Sequence, residues 1–268
     1  MRLYRHALES IFAHLGLSDL AHVLATCRDW SSAVTSMRPI DAYVYAIAES
    51  DDAVRLYAIC NSSRLRRHVA KLLMSGYVAL DFAVLGDIIK QSNSLTTVDF
   101  TNNNIENEDA ITLAEAIKQN KSLTSVDLDN NTIGADGAAA IAEAIKQSKS
   151  LNTVNLCNNP IGDIGVVAIT VAIASKNASL TALHLGAVLL GAAGSIALAT
   201  AITQSNSLTT MSLLANPIGY AGAIKLAEAI LQSKSLTALH LNQSDIGIKG
   251  IAVIHEAIRH RGGTQIKK

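Results

Sequence analysis

The chain has 268 residues and a neutral balance, 22 Lys and Arg against 22 Asp and Glu. Residues 1–76 hold 9 basic and 7 acidic side chains and the remainder 13 and 15, so neither part has the basic excess of a nucleic-acid or anionic-membrane binder. Hydrophobic residues reach 49% but aromatics only 4%, which implies a core of small aliphatic side chains and suits stacked identical layers better than an irregular globule. Cys27, Cys60 and Cys157 are too few and too scattered for a disulfide framework or a zinc site, and read as reduced thiols. Glu9 and His14 interrupt the apolar run that a signal peptide would need, and no stretch approaches the ~18 apolar residues of a membrane span. The sequons at Asn61, Asn130, Asn177 and Asn242 then read as chance products of an Asn- and Ser-rich chain. These features predict a cytoplasmic or nuclear protein, a monomer outside any complex, with no cofactor and no metal.

Residues 3–34 place apolar side chains at Leu8, Ile11, Phe12 and Leu15, then at Leu20, Val23, Leu24, Cys27 and Trp30. The spacing predicts short helices, the second starting near a Ser18/Asp19 cap. A core this small is marginal alone. The order Leu3, Leu8, Ile11-Phe12, Leu15, Asp19-Leu20, Val23 and Cys27-Arg28-x-Trp30 resembles an F-box. That motif runs L-P-x-E-L-L-x-x-I-F-x-x-L-x-x-x-D-L…V-C-R-x-W; here Tyr4 replaces its proline and His6 its acidic residue. The resemblance covers about 30 residues and implies docking to a Skp-family adaptor through Leu3, Leu8, Ile11, Phe12, Leu15 and Leu20. An ordinary helical cap is the alternative.

Pro39 and Asp41 mark a boundary, so residues 1–38 form one unit and 39–76 a linker. Tyr43–Glu49, Ala53–Cys60 and Leu65–Met74 are predicted as short linker helices, and Arg64, Arg66, Arg67 and His68 as a solvated helix face. Residues 77–268 then form the second domain.

Within it, Leu95, Leu123, Leu151, Leu180, Leu208 and Leu236 each open one phrase, with intervals of 28, 28, 29, 28 and 28 residues. The phrase reads L-T-T-V-D-F-T-N-N-N-I from 95 and L-T-S-V-D-L-D-N-N-T-I from 123, followed by paired glycines and an Ala-rich amphipathic stretch. This L-x-x-L-x-L-x-x-N-x-I pattern resembles the ribonuclease-inhibitor type of leucine-rich repeat. The resemblance implies an α/β solenoid, a horseshoe with parallel strands inside and helices outside. Leu95, Val98 and Phe100, with their equivalents, point inward from a short strand. Asn103, Asn131, Asn159 and Asn216 stand where the strand turns and can satisfy backbone groups that no ladder reaches. The second glycine of each pair, as in Gly134–Gly137, Gly162–Gly165 and Gly219–Gly222, is predicted to admit a tight turn before the helix. Helix triplets such as Leu113–Ala116–Ile117 and Ile141–Ala144–Ile145 lie on one inward face. Residues 77–94 read as a degenerate first repeat, and Arg259, His260 and Arg261 as the polar side of a terminal cap.

The open strand face carries two variable columns. One reads Asp99, Asp127, Asn155, His184, Ser212, His240, and the next Thr101, Asp129, Cys157, Gly186, Leu214, Asn242. Core columns repeat and these do not, so the stack leaves them free for a protein partner. Asp99, Thr101, Asp127, Asp129, Asn155, His184, Ser212, Leu214, His240 and Asn242 are the candidate contact residues; simple solvation is the alternative for each. The acidic end suits a partner with a basic patch. The fourth copy departs most: it has an extra residue near Lys176–Ser179, and Val188 and Leu189 are either an exposed apolar contact or the seal of a rearranged turn.

Signs of catalysis are weak. His255 and His260 are five residues apart and diverge on a helix, no phosphate loop or nucleophile elbow occurs, and Cys157 beside His184 lies on an open sheet. The whole therefore predicts a non-enzymatic substrate receptor of a Skp–cullin–F-box type ubiquitin ligase. The alternatives are a scaffold, inhibitor or assembly protein unconnected with ubiquitin, or a GTPase activator of the Ran type, for which no catalytic edge is visible. Phrases such as Gly137-Ala138-Ala139-Ala140-Ile141-Ala142 are also similar to the repeats of bacterial effectors that combine the same parts, so delivery to a host cell is a further expectation.

Overall fold

The computed structural model describes residues 42–45, 69–74, 82–175, 179–242, 244–261 and 265–267. The F-box-like segment with Leu3, Leu8, Ile11, Phe12, Leu15 and Leu20, the expected helix at Ala53–Cys60, the basic cluster at 64–68 and residues 176–178 of the irregular fourth copy lie outside these residues.

In chain order the described elements are β1 (Ala42–Tyr45), β2 (Val69–Leu73), α1 (Phe82–Gln91), β3 (Thr97–Asp99), α2 (Asn107–Gln119), β4 (Ser125–Asp127), α3 (Ala135–Gln147) and β5 (Thr153–Asn155). There follow α4 (Gly162–Ile173), β6 (Ala182–His184), α5 (Ala192–Gln204), β7 (Thr210–Ser212), α6 (Gly219–Gln232), β8 (Ala238–His240), α7 (Gly247–Arg261) and β9 (Gln265–Lys267). All nine strands belong to one parallel sheet in sequential order, and helices alternate with strands from β2 to β9. The fold is an α/β leucine-rich-repeat solenoid. Register is strict, so Val98, Val126, Val154, Leu183, Met211 and Leu239 stand side by side. Each is fully buried, along with the leucines that open the repeats and the Ile or Leu before each helix. Phe100 takes the place that other repeats give to leucine, and packs edge-on against Phe82 of α1 with ring centroids 6.3 Å apart. A single strand–helix unit cannot cover both its faces, so burial is completed only by the layers on either side.

Two expectations fail at the start of the sheet. Tyr43–Glu49 and Leu65–Met74 were expected as linker helices, yet 42–45 and 69–73 are strands, β2 pairing with β3 through Leu72↔Val98. The sheet therefore begins upstream of residue 77. Val-Ala-Lys-Leu-Leu is too short to show a period of its own, and pairing with the edge of β3 decides its conformation. At the other end, β9 follows the helix read as a terminal cap and pairs with β8.

The turn asparagines do what their position predicts. Asn131 Nδ2 donates to the carbonyls of Phe100, Leu128 and Asp129 at 2.9–3.1 Å, and its Oδ1 accepts the N–H groups of Asn103 and Ile105 at 3.0 and 2.9 Å. Asn216 repeats this between Leu185, Leu213 and Leu214 on one side and Val188 and Leu190 on the other. Each amide thus ties its own repeat to the preceding one.

Val188 and Ser244 interrupt that column, and the preceding repeats respond. Both carry Asn-Pro-Ile-Gly, at 159–162 and 216–219. Lacking the amide, Ile161 N–H donates to Asn159 O (2.8 Å) and Ile218 N–H to Asn216 O (2.9 Å). Gly162 and Gly219 then take φ of +66° and +67° and donate to Val188 O and Asp245 O. Where the amide is present, Glu106, Gly134 and Gly191 start their helices from φ near −90°. The glycine expectation is corrected accordingly: the first of the pair makes the turn where the amide is lost. The second lies inside the helix and permits close packing, since a Cβ at Gly222 would stand 2.8 Å from both Ile218 Cγ2 and Ser195 Cβ.

Candidate functional site

The open face of the sheet collects the candidate residues because strands of three residues point their middle side chain into the core and the flanking two outward. Asp99, Asp127, Asn155, His184, Ser212 and His240 form one registered row. Thr101, Asp129, Cys157, Gly186, Leu214 and Asn242 continue the chain two residues further on. Most are half-buried. Ser212 is an exception: only 4% exposed, it offers almost nothing, and the surface there belongs to the flanking histidines.

Three carboxylates dominate one end. Asp99 Oδ1 accepts Thr101 N–H (3.0 Å) and Thr101 Oγ1–H (2.6 Å). Asp127 Oδ1 accepts Asp129 N–H and Asn155 Nδ2–H, both at 3.0 Å, and Asp129 Oδ1 accepts Asn158 Nδ2–H at 2.8 Å. The second oxygen of each takes no hydrogen bond from a described residue. Partial burial pushes the Asp127 carboxyl above its ordinary range, hydrogen bonds from Asp129 and Asn155 oppose this, and the charges of Asp99 and Asp129 add to it. The charges that act on Asp127 are thus of its own sign.

From Asn155 to Ser212 the row carries no carboxylate, and β9 brings Lys267 into register with His240 at its far end. Burial holds His184 below the ordinary histidine range; Asp127 opposes this and His240 adds to it, so the ring is uncharged at pH 7. Burial pushes the Cys157 thiol up to about 11, and its Sγ accepts Gly186 N–H at 3.1 Å. This thiol is protonated and engaged, the opposite of an activated nucleophile. At α7 the Glu256–His260 pair is exposed at 3.8 Å, and the described residues contain no group of three or more His, Cys, Asp or Glu arranged to hold a metal.

Two features escaped the sequence reading. Asn102, Asn130 and Asn158, each preceding a turn asparagine, take φ of 52–61° along the rim. Asn130 donates to Asn102, and the doubled Asn-Asn was the available signal. The other is on the outer surface: α4 exposes Ile164, Val167 and Val171, next to Ile196 of α5. Equivalent helices α2 and α3 instead carry Glu115–Lys118 and Glu143–Lys146 ion pairs. At the irregular turn the two readings divide: Val188 is sealed in the core and Leu189 is 62% exposed. Among the described residues no helix is long and apolar enough to cross a membrane.

Two family models match the chain. A leucine-rich-repeat family model matches residues 91–114, 119–142 and 147–169. An F-box domain model matches residues 1–41. The chain thus carries an F-box followed by leucine-rich repeats, a combination that defines a protein-interaction module; these families are generally non-enzymatic. No curated protein matches the chain. Similar solved structures include leiomodin-1 actin-binding site 2, at 16% identity over 59% of this chain and 90% of that one with a TM-score of 0.45. Another is the tropomodulin C-terminal domain of Caenorhabditis elegans, at 10% identity over 80% and 93% with a TM-score of 0.40.

Proposed function

We propose that the chain is the substrate receptor of a Skp–cullin–F-box type ubiquitin ligase. The observation that carries this reading is the union, in one chain, of an F-box match at residues 1–41 with a solenoid whose sheet presents a row of non-repeating side chains. Leu3, Leu8, Ile11, Phe12, Leu15 and Leu20 dock a Skp-family adaptor, and the strand face from Asp99 to Asn242 holds a protein substrate. Catalysis belongs to other subunits. The receptor acts by proximity, raising the effective concentration of substrate lysines beside a charged ubiquitin carrier. In this reading the chain works in the cytoplasm or nucleus and is a monomer outside its complex.

Tyr4 and His6, where the motif has proline and an acidic residue, favour a second reading: a scaffold, inhibitor or assembly protein that uses the same strand face without an adaptor. Co-purification separates the two. The first expects the full chain to retain a Skp-family adaptor and Ile11→Asp to lose it. Absence of association at micromolar concentration, with both proteins alike, removes the first and leaves the second.

A further inference from the structure

We infer that the strand face reads an extended segment of its partner lying across the strands, with a basic side chain at one end and a large apolar one about four residues away. This rests on the reading that the strand face is where the partner binds.

Along β3–β8 the outward positions change character once. Asp99, Asp127 and Asp129 are the charged groups on strands β3–β8 and the residues just after them, and the charges felt at Asp127 are those of the other two. A basic side chain reaching this end meets three carboxylate oxygens that no described residue uses. It offsets the repulsion that Asp99 and Asp129 exert on Asp127.

From Asp129 the same row continues through Cys157, Gly186 and Leu214. Cys157 Sγ is turned to the Gly186 N–H, and Gly186 has no side chain; a Cβ there would sit 3.2 Å from Cys157 Sγ and 3.4 Å from Leu214 Cβ. The floor is therefore low in the middle and rises at Leu214, a half-buried apolar side chain. Asp129 and Leu214 are three strands apart, roughly 14 Å at a strand spacing of ~4.8 Å. An extended chain covers that distance in about four residues at ~3.5 Å each. Neutral His184, whose ring takes no hydrogen bond from a described residue, stands beside the floor and can meet the peptide backbone. An acidic segment would face like charge at one end. A uniformly polar one would leave Leu214 without a partner.

The test is selection of random decapeptides on the purified full chain, followed by affinity measurement with one selected fluorescent peptide. Selected sequences are expected to pair Lys or Arg with Leu, Ile, Met or Phe about four positions away. Affinity should fall about tenfold in D127N/D129N, similarly in Leu214→Ser, and progressively with added salt, with no loss of thermal stability. Val171→Asp on the outer surface should bind as wild type does. Selection of no peptide, or of acidic ones, overturns the inference. Peptides without the pattern that are lost in His184→Asp also overturn it, while leaving the strand-face reading intact. Loss of binding in Val171→Asp, with the strand variants normal, overturns both.

Discussion

The repeats opening at Leu95 and Leu123 and those opening at Leu151 and Leu180 share a core and little else. Both pairs bury the same Leu, Val or Leu, Phe or Leu, and Ile or Leu columns. The first pair puts Asp99, Asp127 and Asp129 on the strand face, ion pairs on the outer helices and an amide at each turn. The second puts Asn155, Cys157 and His184 on the strand face, with Ile164, Val167 and Val171 outside, and at residue 188 the amide is gone. A stack constrains only what touches the next layer. When one layer loses its amide, the layer before it changes its turn through Pro and Gly rather than its core.

That contrast can be broken or sharpened by substitution. The largest effect should come from the shared part: Leu128→Asp places an unpaired charge among fully buried neighbours and should cost more than ~4 kcal/mol, abolishing cooperative unfolding in urea. Melting like wild type would contradict the layered core. Next is Asn131→Val, which installs the residue found naturally at 188. It strands three buried backbone groups, Phe100 O and the N–H groups of Asn103 and Ile105, in a repeat whose neighbour lacks the Pro-Ile-Gly turn, and should lose about 3 kcal/mol or more. A loss under ~1 kcal/mol would mean that the turn and the amide are not coupled. Gly162→Ala should cost about 1–2 kcal/mol because φ is +66°. Gly134→Ala, at negative φ, should cost clearly less; equal costs would erase the distinction between the two helix starts.

The smallest effect concerns pH. Asp127 has its folded pKa raised, so the native state binds a proton more readily than the unfolded chain, and stability falls as pH rises from the ordinary carboxylate value through the raised one. Asp127→Asn keeps an acceptor for Asp129 and Asn155 and removes the charge. It should therefore be slightly more stable than wild type at pH 7, by under ~1 kcal/mol, and indistinguishable below pH ~3. A destabilised D127N at pH 7 would show that the carboxylate serves the fold rather than a partner.

Much of this was legible because one phrase occurs six times. A 28-residue interval places Leu128, Asn131 and Asp127 in core, turn and open face without any structure. Elements outside the phrase were not legible. Val69–Leu73 has apolar spacing that fits a helix as well as a strand, and only pairing with β3 settles it. Gln265–Lys267 is three residues with no consensus of its own. The role of Pro160-Ile161-Gly162 depends on residue 188 in the next repeat, a link that no local window contains. Register predicted which residues share the open face. Exposure depends on neighbours across strands, which is why Ser212 is closed and Leu189 open.

The central claim is that one chain holds two partners at once, an adaptor through its first 41 residues and a substrate segment on the strand face. The direct measurement is binding of a peptide selected on the strand face to the chain already held on an immobilised Skp-family adaptor. The account predicts a ternary complex in which D127N/D129N loses the peptide but keeps the adaptor, and Ile11→Asp loses the adaptor but keeps the peptide. Competition between peptide and adaptor, or failure of wild type to bind the adaptor at all, would contradict it.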